Sequence, residues 1–409
     1  MRKTALTFRS GRSTRSAGST GPLGRRAAAP VALAAVVAMA LSACSSSSTG
    51  TGGSAGSSGS APAAGGTATA TANVAKLTEA LSSYPVPTAT LSGVSALKGK
   101  TVYYIPITQQ AAQFTVTGTA LKQALASVGV NLQICNGGSN PSTIAACVNQ
   151  AVGAGAGAIV TDSIPYALAG NALDAARAKK IPVLVTDQIA DSAHPADSTL
   201  GYIEGAGSAQ LVAIADWIIA DSNGKAKVVL NESTDSPSTV AYVTKAQEEF
   251  KQLCPDCSVT VNKISSANFS LIASSTSSTV LRTPGVQYVV SEFDQYLQVT
   301  QGGVQQSGKA ASVKGVSSAA GTAGLTQLKS KNFLYVDAGQ ASAYQGWATA
   351  DAALRLMLGQ TLPDYTIPMR LFTRDNVGSI TIDSADEASG AWFGPTDFTS
   401  KFKTLWGAA

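Results

Sequence analysis

The chain has 409 residues, with 29 Lys and Arg against 24 Asp and Glu and a single histidine, a formal net charge of +5. Seven of the basic residues (Arg2, Lys3, Arg9, Arg12, Arg15, Arg25 and Arg26) precede Cys44 with no acid among them, leaving 22 basic against 24 acidic side chains in the rest. That remainder lacks the clustered basic face a nucleic-acid binder needs, and a lone His194 argues against a multi-histidine zinc site or a His-dependent triad.

The basic leader runs into an apolar stretch, Ala28 to Leu41, and ends in Leu41-Ser42-Ala43-Cys44. A basic segment, an apolar core and small residues before a cleavage point make an export signal. The apolar stretch, roughly 14 residues, is shorter than the ~20 a spanning helix needs. The final four residues resemble a bacterial lipobox, which implies residues 1–43 as signal peptide and Cys44 as the acylated anchor on the extracytoplasmic face of the membrane. A twin-arginine signal at Arg25-Arg26 would normally be followed by apolar residues, so the general export route is favoured. After Cys44, residues 45–71 are almost wholly Ser, Gly, Thr, Ala and Pro. Such composition reads as a flexible tether over 44–75, followed by a leader segment at 76–98. Gly52-Gly53-Ser54-Ala55-Gly56 matches a nucleophile elbow in letters only, since an elbow requires a strained strand-to-helix turn.

With Cys44 lipidated, four cysteines remain: Cys135, Cys147, Cys254 and Cys257. An even number suits an oxidising compartment. Cys254-Pro255-Asp256-Cys257 has redox spacing, but it follows a helical run, and a reactive pair wants its first thiol at a helix N-terminus. Two local disulfides, 135–147 and 254–257, are favoured over a redox or metal role.

From residue 101 onward short β-rich runs alternate with helical stretches. Expected strands are Thr101 to Ile107, Asn131 to Ile134, Ala158 to Thr161 and Pro182 to Thr186, then Ala226 to Leu230, Val259 to Val261, Val286 to Val290, Ser312 to Val316 and Phe333 to Val336. Expected helices include Gln113 to Val128, Ser142 to Val152, Tyr166 to Ala178, Ser208 to Ala220 and Thr239 to Leu253. This rhythm predicts βαβ units around parallel sheets, and strands apolar on both faces predict helices on both sides. Roughly 310 residues and nine strands predict two α/β lobes, with a break near Ser198 to Gly207. Gly153, Gly155 and Gly157 follow a helix and enter a strand, the reverse of a dinucleotide fingerprint, and read as a helix end and turn.

Ligands in open parallel sheets bind beyond the carboxyl ends of strands. The residues there are Gln109 and Gln110 with Phe114, Asp162, then Asp187 with Gln188. In the second half they are Glu232, Phe293 with Asp294, and Asp337 to Gln340. Carboxylates, amides and aromatic rings recurring at strand ends suit a polyol, hydrogen-bonded at its edge and stacked on its apolar face.

Lys98 to about Arg370 resembles the type I periplasmic binding proteins, the ribose-binding-like group in particular. The resemblance rests on Gly99-Lys100-Thr101-Val102, Leu184-Val185-Thr186-Asp187, Gly339-Gln340 and Tyr344-Gln345-Gly346-Trp347. It implies two Rossmann-like lobes joined by a three-strand hinge. The N-terminal lobe would span 99–201 plus about 341–363, the C-terminal lobe 202–340 plus about 364–395, and a tail 396–409. By position it places Gln109, Gln110, Phe114, Asp187, Gln188, Phe293 and Gln340 in the cleft. Three positions depart from the sugar-binding pattern: Gln188 stands where Arg is usual, Phe293 where Asn is frequent, and Ser317 or Ser318 where Asp is common.

The resemblance implies a monomeric substrate-binding lipoprotein that takes a small polar ligand, sugar-like by preference, and delivers it to an ABC permease, with no cofactor, no metal and no nucleic acid. A less polar or aromatic ligand is an alternative. So is a sensor lobe presenting its state to a membrane receptor. A surface enzyme is disfavoured, although a carboxylate pair such as Asp187 with Asp294 would be its starting material.

Overall fold

The structure is a computed structural model that describes residues 61–408. The export signal and Cys44 lie outside the described residues. Helix α1 (Ala61–Thr78) opens the described chain. The first lobe is β1 (Thr101–Pro106), α2 (Ala112–Ala126), β2 (Asn131–Ile134), α3 (Pro141–Gly153), β3 (Ala158–Asp162), α4 (Gly170–Ala178), β4 (Val183–Thr186) and β5 (Leu200–Ile203). Its five strands pair in parallel in the order β2-β1-β3-β4-β5.

The second lobe holds α5 (Gly207–Asp221), β6 (Lys227–Ser233), α6 (Pro237–Leu253), β7 (Ser258–Ile264), α7 (Ile272–Arg282) and β8 (Tyr288–Ser291). It continues with α8 (Leu297–Gln306), β9 (Lys314–Ala319), α9 (Thr322–Lys329) and β10 (Leu334–Gln340). Helix α10 (Ser342–Met357) returns to the first lobe and lies along α2, and β11 (Met369–Thr373) goes back to the second. The six-stranded sheet runs β11-β10-β9-β8-β6-β7, parallel except for β11, which is antiparallel to β10. Two short helices, α11 (Ser384–Ser389) and α12 (Phe398–Leu405), finish the chain.

Local chemistry sets the helix starts. Asn140 accepts from the amides of Ser142 and Thr143 ahead of Pro141 at the first helical turn, and Ser236 forms a capping box with Thr239 ahead of Pro237. Both place a side-chain acceptor on free amides and a proline where no amide is needed. The central strands are buried along their whole length, as sheets covered on both faces require. Gly155, at φ 68°, ends the turn after α3.

Four expectations need correction. The tether assigned to 44–75 becomes helix from Ala61. Alanine is the strongest helix former, and the small side chains let α1 approach α5 and α6 closely, with Ala70 fully buried. The leader at 76–98 and the tail at 396–409 are core: Tyr84 stacks on Tyr344 at 5.0 Å and meets Phe398 at 4.6 Å, while Trp347 stacks on Trp406 at 5.7 Å. The nine expected strands become eleven, with β5 and β11 in addition. The lobe boundary at 201 falls inside β5, so the chain leaves the first lobe after Ile203.

The structure joins Cys135 to Cys147 and Cys254 to Cys257, with Cα separations of 5.8 and 5.3 Å. Among the described residues no group of His, Cys, Asp and Glu could hold a metal ion, and no helix is long and apolar enough to cross a membrane.

Candidate functional site

The chain crosses between the lobes three times: at Glu204 to Ala206, at Ala341, and between α10 and β11. The carboxyl ends of both sheets face each other beside these crossings. Asp187, just past β4, adopts a left-handed backbone at φ 54°. That region is sparsely populated by residues other than glycine, with Asp better tolerated than most. The turn aims its carboxylate at the hinge. Gln340 Nε2, from the end of β10, donates to Asp187 Oδ1 at 3.0 Å, and Gln345 Nε2, from α10, donates to Oδ2 at 2.8 Å. Gln340 Oε1 accepts from the Ala206 amide at 2.5 Å and Gln340 Nε2 also meets Gln345 Oε1. One carboxylate and two amide side chains therefore join three pieces of the hinge.

The lobes also touch beside Asp187. Ser238, in the first turn of α6, donates to Gln188 Oε1 at 3.0 Å and accepts from the Ile189 amide at 3.0 Å. The Tyr242 hydroxyl donates to the Asp187 carbonyl at 3.3 Å. Gly207 allows this approach, because a Cβ there would lie 2.3 Å from the Tyr242 ring.

Two carboxyl pairs sit at the strand ends, one per lobe. In the first, fully buried Asp162 neighbours Asp187 and accepts from the Tyr104 hydroxyl at 2.5 Å. Burial, then the neighbouring Asp187 charge, holds the Asp162 carboxyl well above the usual carboxylate range. In the second, Asp294 pairs with Asp337. Asp294 accepts from Ser317 Oγ at 2.7 Å and from the Gly321 amide at 3.0 Å, and Asp337 Oδ1 accepts from the Ala320 amide at 3.0 Å. Burial raises Asp294 to about 6, and burial together with the Asp294 charge holds Asp337 well above the usual carboxylate range. Gly324 accommodates the pair, since a Cβ would stand 2.4 and 2.5 Å from its two facing oxygens. The imagined pairing of Asp187 with Asp294 is thus replaced by one pair within each lobe.

The other expected site residues scatter. Gln109 and Gln110 are exposed on the loop after β1. Phe114, in the first turn of α2, is buried, and its carbonyl accepts from the Tyr104 hydroxyl. Glu232 is buried with Oε1 unpartnered, and Phe293 is half-buried against the second lobe's core. Sequence reasoning passed over Gln345, Ser238, Tyr242 and Glu292. Gln345 stood within the Tyr344 to Trp347 motif, and Glu292 directly preceded two residues that were chosen.

Two parallel-sheet lobes with this strand order and three crossings match the type I periplasmic binding protein fold. A 5-methylthioribose transporter solute-binding protein from Thermotoga lettingae, in complex with 5-methylthioribose, superposes with a TM-score of 0.63 at 18% identity, over 75% of this chain and 98% of that one. An ABC transporter solute-binding protein from Agrobacterium vitis bound to α-D-tagatopyranose gives 0.61 at 18%, over 69% and 97%. A Mycobacterium smegmatis protein in complex with β-D-fucofuranose gives 0.59 at 16%, over 72% and 98%. No protein-family model matches the sequence, and no curated protein matches it.

Proposed function

We propose that this chain is the solute-binding component of an ABC importer, capturing a small polar, sugar-like solute by closure of its two lobes. The observation that carries the reading is Asp187: its carboxylate is held at the hinge by Gln340 and Gln345, which stand on the second-lobe and first-lobe sides of the crossing at Ala341, so its position depends on the angle between the lobes. A solute touching both lobes would stabilise the closed state by its differential contacts. Support comes from the sugars named for the structural neighbours and from the hydrogen-bonding inventory at the strand ends. The chain binds without catalysing, and lipid on Cys44 keeps it at the outer face of the membrane beside its permease.

Isothermal titration against monosaccharides, sugar alcohols, nucleosides and amino acids tests the binding role, with scattering to follow closure. One polyol should bind and reduce the radius of gyration; failure of every class to bind a well-folded protein would overturn the proposal. For the anchor, Cys44→Ser should release the protein from the membrane fraction into the medium, and retention of the variant would refute lipid attachment.

A further inference from the structure

A charge boundary divides the second lobe. Its strand-to-helix connections open on the cleft, and over 234–236, 265–271, 292–296 and 320–321 they hold no lysine or arginine. Its helix-to-strand connections gather at the opposite pole, beyond the amino ends of the strands, because each crossover in a parallel sheet returns the chain there. Lys225, Lys309 and Lys331 stand in these connections and Lys227 opens β6, while Lys251, Arg282 and Lys329 occupy the last turns of α6, α7 and α9. All seven are exposed, and none enters an ion pair among the described residues. The acids at that pole are Asp221, held by Lys314 at 2.6 Å, Asp256 and Asp375.

A cation in the last turn of a helix is accounted for by the helix dipole. That explanation covers Lys251, Arg282 and Lys329 and leaves the other four. A groove of about 520 Å³ runs along β7 from Lys227 and Arg282 towards Lys263, walled further by Ser258, Thr260 and buried Asn262, with no acid in its lining. Cations, hydroxyls and an amide are the donors that phosphate oxygens take.

The N-terminal chain enters at the same pole. Early in α1, Gly66 packs on the Leu253 carbonyl, where a Cβ would lie 2.0 Å away, and Thr67 lies beside Gly224. Those two neighbours stand next to Lys251 and Lys225. Residues 45–60 alone separate α1 from Cys44; they carry no charge and reach at most about 60 Å fully extended.

We infer that this pole is a docking face for an anionic bilayer, whose lipid phosphates supply the counter-charges the lobe lacks. Each lysine or arginine near such a surface adds to the attraction. The first lobe carries fewer cations in the corresponding places, Lys98, Lys100, Lys179 and Lys180, and its pole points the other way because the carboxyl ends of the two sheets face each other. Docked in this manner the molecule stands on its second lobe, with the cleft raised above the bilayer and the first lobe outermost and free to swing. The inference goes beyond the binding reading and holds whatever solute the cleft takes.

The test is flotation of the mature protein carrying Cys44→Ser, and so without lipid, on phosphatidylcholine vesicles with and without phosphatidylglycerol. Binding should require phosphatidylglycerol and vanish in about 1 M salt, where the Debye length falls to about 3 Å. Lys225→Gln, Lys227→Gln, Lys309→Gln and Lys331→Gln together, all outside helices, should weaken binding by about 10- to 100-fold, and the four corresponding first-lobe substitutions by less than about 3-fold. Amide hydrogen exchange of the bound protein should show protection over 222–227 and 282–287, a reading that needs no variant. Failure to bind phosphatidylglycerol vesicles, equal loss from both sets of substitutions, or protection confined to the first lobe overturns the docking face. Binding to soluble polyphosphate but not to vesicles overturns the bilayer as partner. Solute titration of the same protein reports on the cleft separately, so failure of one reading leaves the other standing.

Discussion

Gln340 holds Asp187 across the hinge: its Nε2 lies 3.0 Å from Asp187 Oδ1 while its Oε1 accepts from the Ala206 amide. Gln340→Leu keeps the bulk and removes both bonds. Leaving a buried donor and acceptor unpaired costs about 1–3 kcal/mol each. The variant should unfold at a clearly lower urea concentration with an unchanged slope. Wild-type stability in a folded Gln340→Leu protein would show that the amide is not a structural tie.

Gly205 is required by the same arrangement. A Cβ there would stand 1.8 Å from Asp187 Oδ1 and 2.9 Å from Gln340 Oε1. Gly205→Ala should displace Asp187 and hold the lobes apart. Small-angle scattering should report a larger radius of gyration than for the parent protein; an unchanged profile counts against the hinge assignment.

The two disulfides should differ in worth. Cys135–Cys147 closes 12 residues and Cys254–Cys257 only 3. By the chain-entropy argument the longer loop contributes about 3 kcal/mol and the shorter about 2 kcal/mol. Denaturant unfolding of the paired Cys→Ser variants would rank them, and the reverse order would contradict the loop-length explanation.

Asp216 couples stability to pH. It lies between α1, α5 and α6, where burial raises it to about 7 from 3.8; the bond from Asn73 Nδ2 works against that rise and the Glu249 charge adds to it. A raised acid binds its proton more tightly in the folded state, so its contribution is fullest below about pH 4 and is lost as pH rises through about 7. Asp216→Asn keeps an acceptor for Asn73 and removes the charge. The fall in unfolding midpoint between pH 5 and pH 8 should be smaller in the variant than in the parent; an identical fall would assign the pH dependence elsewhere.

Trp406 closes the chain onto the first lobe. It stacks on Trp347, and its Nε1 donates to buried Asp351 Oδ1 at 2.7 Å beside the Arg355–Asp351 ion pair. Trp406→Ala should cost about 3–5 kcal/mol. Trp406→Phe, which retains a ring but no donor, should cost less, and thermal unfolding of both would separate stacking from the hydrogen bond.

Most of the two-lobed architecture is legible in the alternation of β-rich and helical runs, because parallel strands buried on both faces are nearly pure apolar segments. β5 escaped notice because Leu-Gly-Tyr-Ile is short and glycine-interrupted, and β11 because an antiparallel edge partner needs no helical crossover. Alanine and glycine between Ala61 and Thr71 look alike whether a segment is free or docked; only α5 and α6 decide it. The carboxyl ends of the strands gave Asp187 and Gln340 by position. The choice between Asp162 and Asp294 as partner for Asp187 depends on which sheet each strand joins, and adjacency in sequence carries no such information.

The return of α10 to the first lobe also dictates an order of events. One face of that lobe's sheet is covered by α2 together with residues 342–357, and Trp347 and Tyr344 there are in turn covered by α12 near the C-terminus. A nascent chain lacking its last third therefore has β1 to β5 with an uncovered apolar face and cannot complete either half. Contacts this distant in sequence slow folding. The first lobe's core is therefore complete only once residues 342–406 are available to it.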